Sequence, residues 1–397
     1  MSQLRTLTRR SAIGMALIAA CCLASNAFGQ ESGSPILIGH YASMTGKEAT
    51  FGKSTDNGIR LAIDEINAAG GLNGRKLELK TYDTKSESKE AGLAVTRLIT
   101  DDKVVALLGE VASSLSLAGG AVAQQYGVPM ISPSSTNPAV TRGRDMVSRV
   151  CFIDPFQGYV VAKFAKDNLK KTKVAVLFDQ GQAYSKGLRD EFVKHFKAMG
   201  GEIVSDQAYT GGDTDFSAQL VKIKSAGPQA IFVPGYYTDV GNIAKQARKL
   251  GIDGDVPLLG GDGWDSEELG KIGQEAIEGS YYSNHYAPDQ NTPEVVEFVK
   301  KYQAAYGGAT PDGLAALGYD AAKVLFDAMS RCEKATKGLK GKDLAKAIAE
   351  TKGFKGVTGL ISIDANRDAQ KSAVMVQMRK SGSGFSPAFV ATIEPPK

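Results

Sequence analysis

The side chains able to do chemistry in this sequence are hydroxyls and acids rather than metal ligands or activated nucleophiles. His40, His195 and His285 are scattered, without the i+3 or i+4 partners a zinc-binding helix uses. There is no GxxxxGK[ST] loop, no GxGxxG after a strand and no GxSxG elbow. Gly260-Gly261-Asp262-Gly263 is glycine-rich but leads into no phosphate-cradling helix. An enzyme is therefore not expected, nor is a cofactor or a metal. Hydroxyl density stands out instead, in Gly109-Glu110-Val111-Ala112-Ser113-Ser114 and in Ser132-Pro133-Ser134-Ser135-Thr136-Asn137-Pro138, each after an apolar run. Hydroxyls and free N–H groups at a helix start suit a carboxylate. The same residue types also cap helices for purely local reasons, and both uses stay open.

Such loops need elements to hold them. Short apolar runs at 36–38, 104–108, 174–178 and 230–233 read as strands buried on both faces. Between them lie helices with one apolar stripe, as in Ile59, Ala62, Ile63 and Ile66 or in Leu188, Phe192, Phe196 and Met199. Alternating strands and helices predict parallel sheets with right-handed crossovers. A chain of 397 residues with 43% apolar content exceeds what one core usually supports, so two lobes are expected. The breaks at 149–158, 279–288 and 356–368 suit three passages between them. The four cysteines divide into Cys21 and Cys22 near the start and Cys151 and Cys332 in the body, the latter pair read as buried thiols rather than a disulfide.

Residues 1–29 have the order of a secretory signal, with arginines, an apolar run and small residues. Ala27-Phe28-Gly29 suits ordinary cleavage, whereas Ile18-Ala19-Ala20-Cys21 suits a lipid-modified Cys21. The formal charge is +4, from 47 basic and 43 acidic side chains. Loss of the leader removes Arg5, Arg9 and Arg10 and no acid, so the mature chain is nearly neutral and nucleic acid is not its expected partner.

From residue 36 onward the chain resembles the leucine/isoleucine/valine-type periplasmic binding proteins, type I solute receptors of ABC importers. The resemblance rests on Ala42-Ser43-Met44-Thr45-Gly46, on the run at 62–75 (AIDEINAAGGLNGR) and on Ile131 to Pro138. It implies an α/β fold of two doubly wound parallel-sheet lobes joined by a three-crossing hinge, with 35–153 and 286–360 as lobe 1 and 154–285 and 361–397 as lobe 2. It further implies a periplasmic monomer that captures an amino acid, branched-chain or small, between the lobes and delivers it to an ABC permease in the inner membrane. Alternatives within the same fold are a ligand sensor or a receptor for an amide or another small carboxylate.

Carried over position by position, the family's carboxylate-binding serine falls on Ser113, and its small-small-Thr segment on Ser134, Ser135 and Thr136. Its second-lobe tyrosines fall on Tyr184 and Tyr236, its ammonium-binding acid on Asp262, and its closing aromatic on Phe51. Asp154 falls at the first crossing. The best-known members carry Glu in place of Asp262 and Ala in place of Ser134 and Ser135, so a more polar pocket is implied. Their first-lobe disulfide is missing here, its positions being Ser86 and Ala112. Glu110 is a second acid within reach of a polar ligand, and Trp264 is either a loop anchor or a ligand contact.

Overall fold

The computed structural model describes residues 33–335 and 337–396, so the expected leader and Cys21 lie outside the described residues. The first lobe is built on β1 (Ile36–Ala42), α1 (Ala49–Ala68), β2 (Leu77–Asp83), α2 (Ser88–Thr100), β3 (Ala106–Leu108), α3 (Ser113–Tyr126), β4 (Met130–Ser132) and β5 (Val147–Arg149). Its five strands are all parallel, in the order β2-β1-β3-β4-β5. A second series follows as α4 (Asp154–Lys163), β6 (Lys173–Asp179), α5 (Ala183–Ala198), β7 (Glu202–Tyr209), α6 (Ser217–Ser225), β8 (Ala230–Phe232), α7 (Tyr237–Lys249), β9 (Leu258–Gly260), α8 (Glu267–Gly273) and β10 (Tyr281–Asn284). The chain then returns through α9 (Pro293–Ala305), α10 (Gly313–Lys334) and α11 (Gly341–Ala349), and ends with β11 (Phe354–Gly356), β12 (Gly359–Ile363), β13 (Ala369–Gln370), β14 (Ala373–Ser381) and β15 (Gly384–Ile393).

The second sheet has the order β15-β14-β10-β9-β8-β6-β7. It is parallel from β7 to β10, after which β14 and β15 add an antiparallel edge. In each lobe the strand order reverses beside the first strand, at β1/β3 and at β6/β8. Ligands of open α/β sheets sit in the crevice outside the carboxyl ends of strands at such a reversal, and the two crevices here face one another. The central strands β3, β4, β8 and β9 are buried throughout, which is why they read as unbroken apolar runs.

α10 packs back on α1 across the outer face of the first sheet. A Cβ on Gly58 would fall 1.9 Å from the carbonyl oxygen of Ala315, and one on Gly318 would fall 2.5 Å from that of Thr55. Side chains at either position would push the helices apart. Cys151 and Cys332 are free buried thiols in the core beneath them, in line with the sequence reading.

The division expected at 360/361 is displaced. Ile361, Ile363 and Ala369 are buried in the first-lobe core with Leu317, Ala321 and Leu344, and β11, β12 and β13 form a small antiparallel sheet on that lobe. The third passage therefore runs through 371–373, immediately before β14. Arg149 ties it down. This fully buried guanidinium pairs with Asp368 at 2.7 Å, donates to Asn137 O and Thr141 Oγ1 at 2.9 Å each, and also donates to Ser135 O.

Removing the acid would strand a buried cation, a loss that typically costs about 3–5 kcal/mol. Asp368→Ala is expected to lower the unfolding free energy by that order in urea titrations, and a change below about 1 kcal/mol would show that the pair is dispensable.

Candidate functional site

The two strand-end crevices converge on one small cavity of about 10 Å³, lined by Phe51, Val111, Ser134, Tyr184, Tyr236, Asp262, Gly263 and Leu314. Five of the residues singled out in the sequence thus meet there: Phe51, Ser134, Tyr184, Tyr236 and Asp262. Phe51 comes from the first turn of α1, after β1. Tyr184 and Tyr236 stand at the starts of α5 and α7, after β6 and β8, and Asp262 follows β9. A larger open groove on the hinge side, around Arg142, Arg144 and Arg367, holds none of those residues.

The aromatic residues form a continuous wall. Tyr184 and Tyr236 stack with centroids 5.2 Å apart and rings 6° from parallel, and Phe51 meets Tyr236 edge-on at 5.6 Å and 82°. Gly263 fits under this wall because a Cβ there would lie 2.9 Å from both tyrosine rings. Its N–H donates to the Tyr184 hydroxyl at 3.1 Å.

The first-lobe hydroxyls divide by what they already bond. Ser134 Oγ and Tyr236 Oη are buried without a partner, an unfavourable state for a polar group, and the buried Thr136 hydroxyl stands near the Asp154 carboxyl. Ser113 Oγ is buried and only accepts a long bond, 3.3 Å, from the Asn137 N–H. Ser135 is different. Its hydroxyl lies 2.8 Å from Val111 O, 3.1 Å from Glu110 O and 2.7 Å from Ser116 Oγ, and its N–H donates to Ser132 Oγ. Ser135 therefore braces the wall; it does not line the cavity, and neither do Ser113 and Thr136. Glu110 is likewise engaged, accepting from Ser43 Oγ, Thr84 Oγ1 and the Ala112 N–H at 2.8–3.1 Å, while burial pushes its carboxyl above the usual range.

The acids sit in the second lobe. Asp262 Oδ1 accepts from Gln157 Nε2 at 2.8 Å, and Oδ2 lies 3.0 Å from His285 Nε2. Asp154 opens α4, its N–H donating to Thr136 O at 2.9 Å. Its carboxyl is fully buried, and burial pushes its pKa up to about 8 against the opposing effect of the nearby Thr136 hydroxyl. Sequence reasoning placed Asp154 only at a crossing, and it missed Val111 and Leu314 as cavity walls. An apolar residue in the first turn of a helix gives no sign of facing a cavity. Trp264 resolves as a loop anchor, its indole donating to Val233 O at 2.9 Å.

The lobes meet around this cavity. Lys47 Nζ donates to Gly211 O at 2.9 Å, and Tyr237 and Thr238 hydroxyls donate to Lys47 O at 2.9 and 3.0 Å. Ser114 Oγ donates to Gln182 Oε1 and accepts from the Ala183 N–H, and Asn137 Nδ2 donates to Ala183 O. Asp265 Oδ2 accepts from the Gly313 N–H at the start of α10. The cleft is closed.

Residues 35–383 match the family described as Periplasmic binding protein. A Leu/Ile/Val-binding protein homolog 2 of Brucella abortus (strain 2308) is 33% identical over 368 residues, 92% of this chain and 96% of that protein. The crystal structure of the leucine binding protein LivK of Thermotoga maritima superposes with a TM-score of 0.84 at 42% identity, covering 91% of this chain and 99% of its own. The branched-chain amino acid substrate binding protein LivJ of Streptococcus pneumoniae, solved in complex with isoleucine, gives 0.80 at 36% identity, covering 89% and 100%. With the match running through both lobes and the cleft between them, the chain belongs to the periplasmic binding protein family.

Proposed function

We propose that the chain captures a small zwitterionic amino acid with an apolar side chain, of the branched-chain class, and presents it from the periplasm to an ABC permease. The observation that carries this reading is the division of polar groups between the lobes. The hydroxyl loop with the unpartnered Ser134 lies on one side and the acids Asp262 and Asp154 on the other. A zwitterion needs donors for its carboxylate and an acid for its ammonium, and only closure supplies both. Ser113, Ser134 and Thr136 take the carboxylate, Asp262 takes the ammonium with Asp154 beside it, and Phe51, Val111, Tyr236 and Leu314 enclose the side chain. Tyr184 holds the Asp262–Gly263 loop, and Ser135 holds the hydroxyl loop. The isoleucine in the Streptococcus pneumoniae complex belongs to that branched-chain class.

The direct test compares L-leucine with 2-hydroxy-4-methylpentanoate, which replaces the amine by a hydroxyl. The protein is expected to prefer leucine strongly, and Asp262→Ala to lose about two to four orders of magnitude in leucine affinity by calorimetry, the cost of leaving a buried cation unpaired. Equal binding of both compounds by the native protein would instead mark a carboxylate receptor.

The two serines of the hydroxyl loop should separate. Ser134→Ala is expected to weaken leucine binding by about 1–3 kcal/mol, as for other hydrogen bonds to charged groups. Ser135→Ala is expected to lower the melting temperature more than the affinity. The reverse pattern would exchange their roles.

Asp154 gives a pH dependence with a definite sign. Its folded pKa of about 8 lies above its ordinary value of 3.8, so its contribution to the stability of the closed form is full below pH 4 and is lost as pH rises through about 8. Asp154→Asn should flatten that decline in melting temperature between pH 5 and pH 9, at about the scale set by one buried carboxyl. An unchanged slope would assign the decline to other groups.

A further inference from the structure

His285 takes part in none of the ligand contacts above, yet it touches the acid on which they turn. It sits on the second passage between the lobes, 2% exposed, its ring stacked on Phe152 of the first passage at 3.7 Å and 23°. Nε2 faces Asp262 Oδ2 at 3.0 Å, and Nδ1 is buried with no partner. A neutral imidazole carries one N–H, and only a proton on Nε2 avoids setting a lone pair against the carboxylate. Gln157 approaches the other oxygen of the same acid with an amide N–H. Asp262 is thus held from both sides by donors that bear no charge.

That chemistry has a consequence for selectivity. A lysine or arginine at either place would orient the carboxylate but cancel its charge, leaving little attraction for a cation. Neutral donors fix its direction and leave the charge in place. We propose that His285 is a positioning residue that sets specificity for amines, its Nε2–H aiming Asp262 at the ligand's ammonium group while leaving the charge of that acid uncancelled. The proposal rests on Asp262 being the ammonium partner.

The surroundings hold the ring neutral. Burial lowers the affinity of His285 for a second proton, Asp262 opposes that effect, and the Lys371 amine on the third passage adds to it. Glu294 and Lys355, of opposite sign, line the outer hollow behind the ring. The first passage presents the uncharged Phe152 and the Cys151 thiol, which burial pushes up to about 12. A proton on His285 and a cation on Asp262 compete for the same negative charge, so protonation of the ring works against amine binding.

The test uses His285→Ala and His285→Gln in the full mature chain, with L-leucine and 2-hydroxy-4-methylpentanoate as probes. His285→Ala is expected to lose about 10–100-fold in leucine affinity, the range for a hydrogen bond to a charged group, while its affinity for the hydroxy acid stays within about threefold. Binding of the hydroxy acid also shows that the variant is folded. His285→Gln, which replaces the neutral N–H donor, should recover most of the preference for leucine. In the native protein, nitrogen shifts of the ring should report the neutral Nε2–H tautomer at pH 7, with and without leucine.

An unchanged amine preference in His285→Ala overturns the proposal, as does an equal loss for both probes, no recovery in His285→Gln, or a charged ring at pH 7. Equal affinity of the native protein for both probes removes the underlying reading of Asp262, and that failure is visible before any variant is made.

Discussion

The described residues that line the closed cleft include the buried acid Asp262 and no basic side chain, and the proposed recognition depends on that imbalance. Asp262 and Asp154 share one side of the cleft, and the charge of Asp262 raises the cost of ionising Asp154. Water would relieve them in an open form. In the closed form Asp154 is relieved by keeping its proton, and Asp262 accepts from Gln157 and faces His285. The hydroxyl of Ser134, which lacks a partner, states the complementary need for an acceptor. In the proposed reading a ligand with both charges satisfies the two lobes together, which makes closure and recognition one event.

The interlobe contacts agree with a closure that adds little selectivity of its own. Lys47 O, Gly211 O and the Ala183 N–H and O, all main-chain groups, carry most of the bonds at the rim. Side chains decide affinity deeper in, where Phe51 lies against Tyr236. Behind the cavity, Arg149 binds the carbonyls of the hydroxyl loop and Asp368, just ahead of the third passage, together, so the hydroxyl loop and the hinge share one anchor.

Much of this was legible in the sequence, for identifiable reasons. Strands buried on both faces leave unbroken apolar runs, and loops at strand ends keep polar residues for a ligand, so the two-lobed plan and the hydroxyl loops could be read directly. The site residues that meet in the cavity came from family resemblance, since nothing in the spacing of Phe51, Tyr184 and Asp262 brings them together. Residue type does not say which way the Ser135 hydroxyl turns, and here it turns toward Val111 O. The third passage was set about ten residues early because β12 reads as a strand whichever sheet receives it. The Asp262–His285 contact joins residues 23 apart through the packing of three passages, and no local pattern encodes it.

Trp264 is the only tryptophan in the sequence. It is locked to Val233 O, fully buried, and separated from Asp262 by a single residue that lines the cavity. Indole emission responds to the electric field and polarity around the ring. Any change of charge or of loop position at Asp262 therefore reaches the sole indole chromophore of the molecule, and the native protein carries its own optical reporter of cleft occupancy without a label.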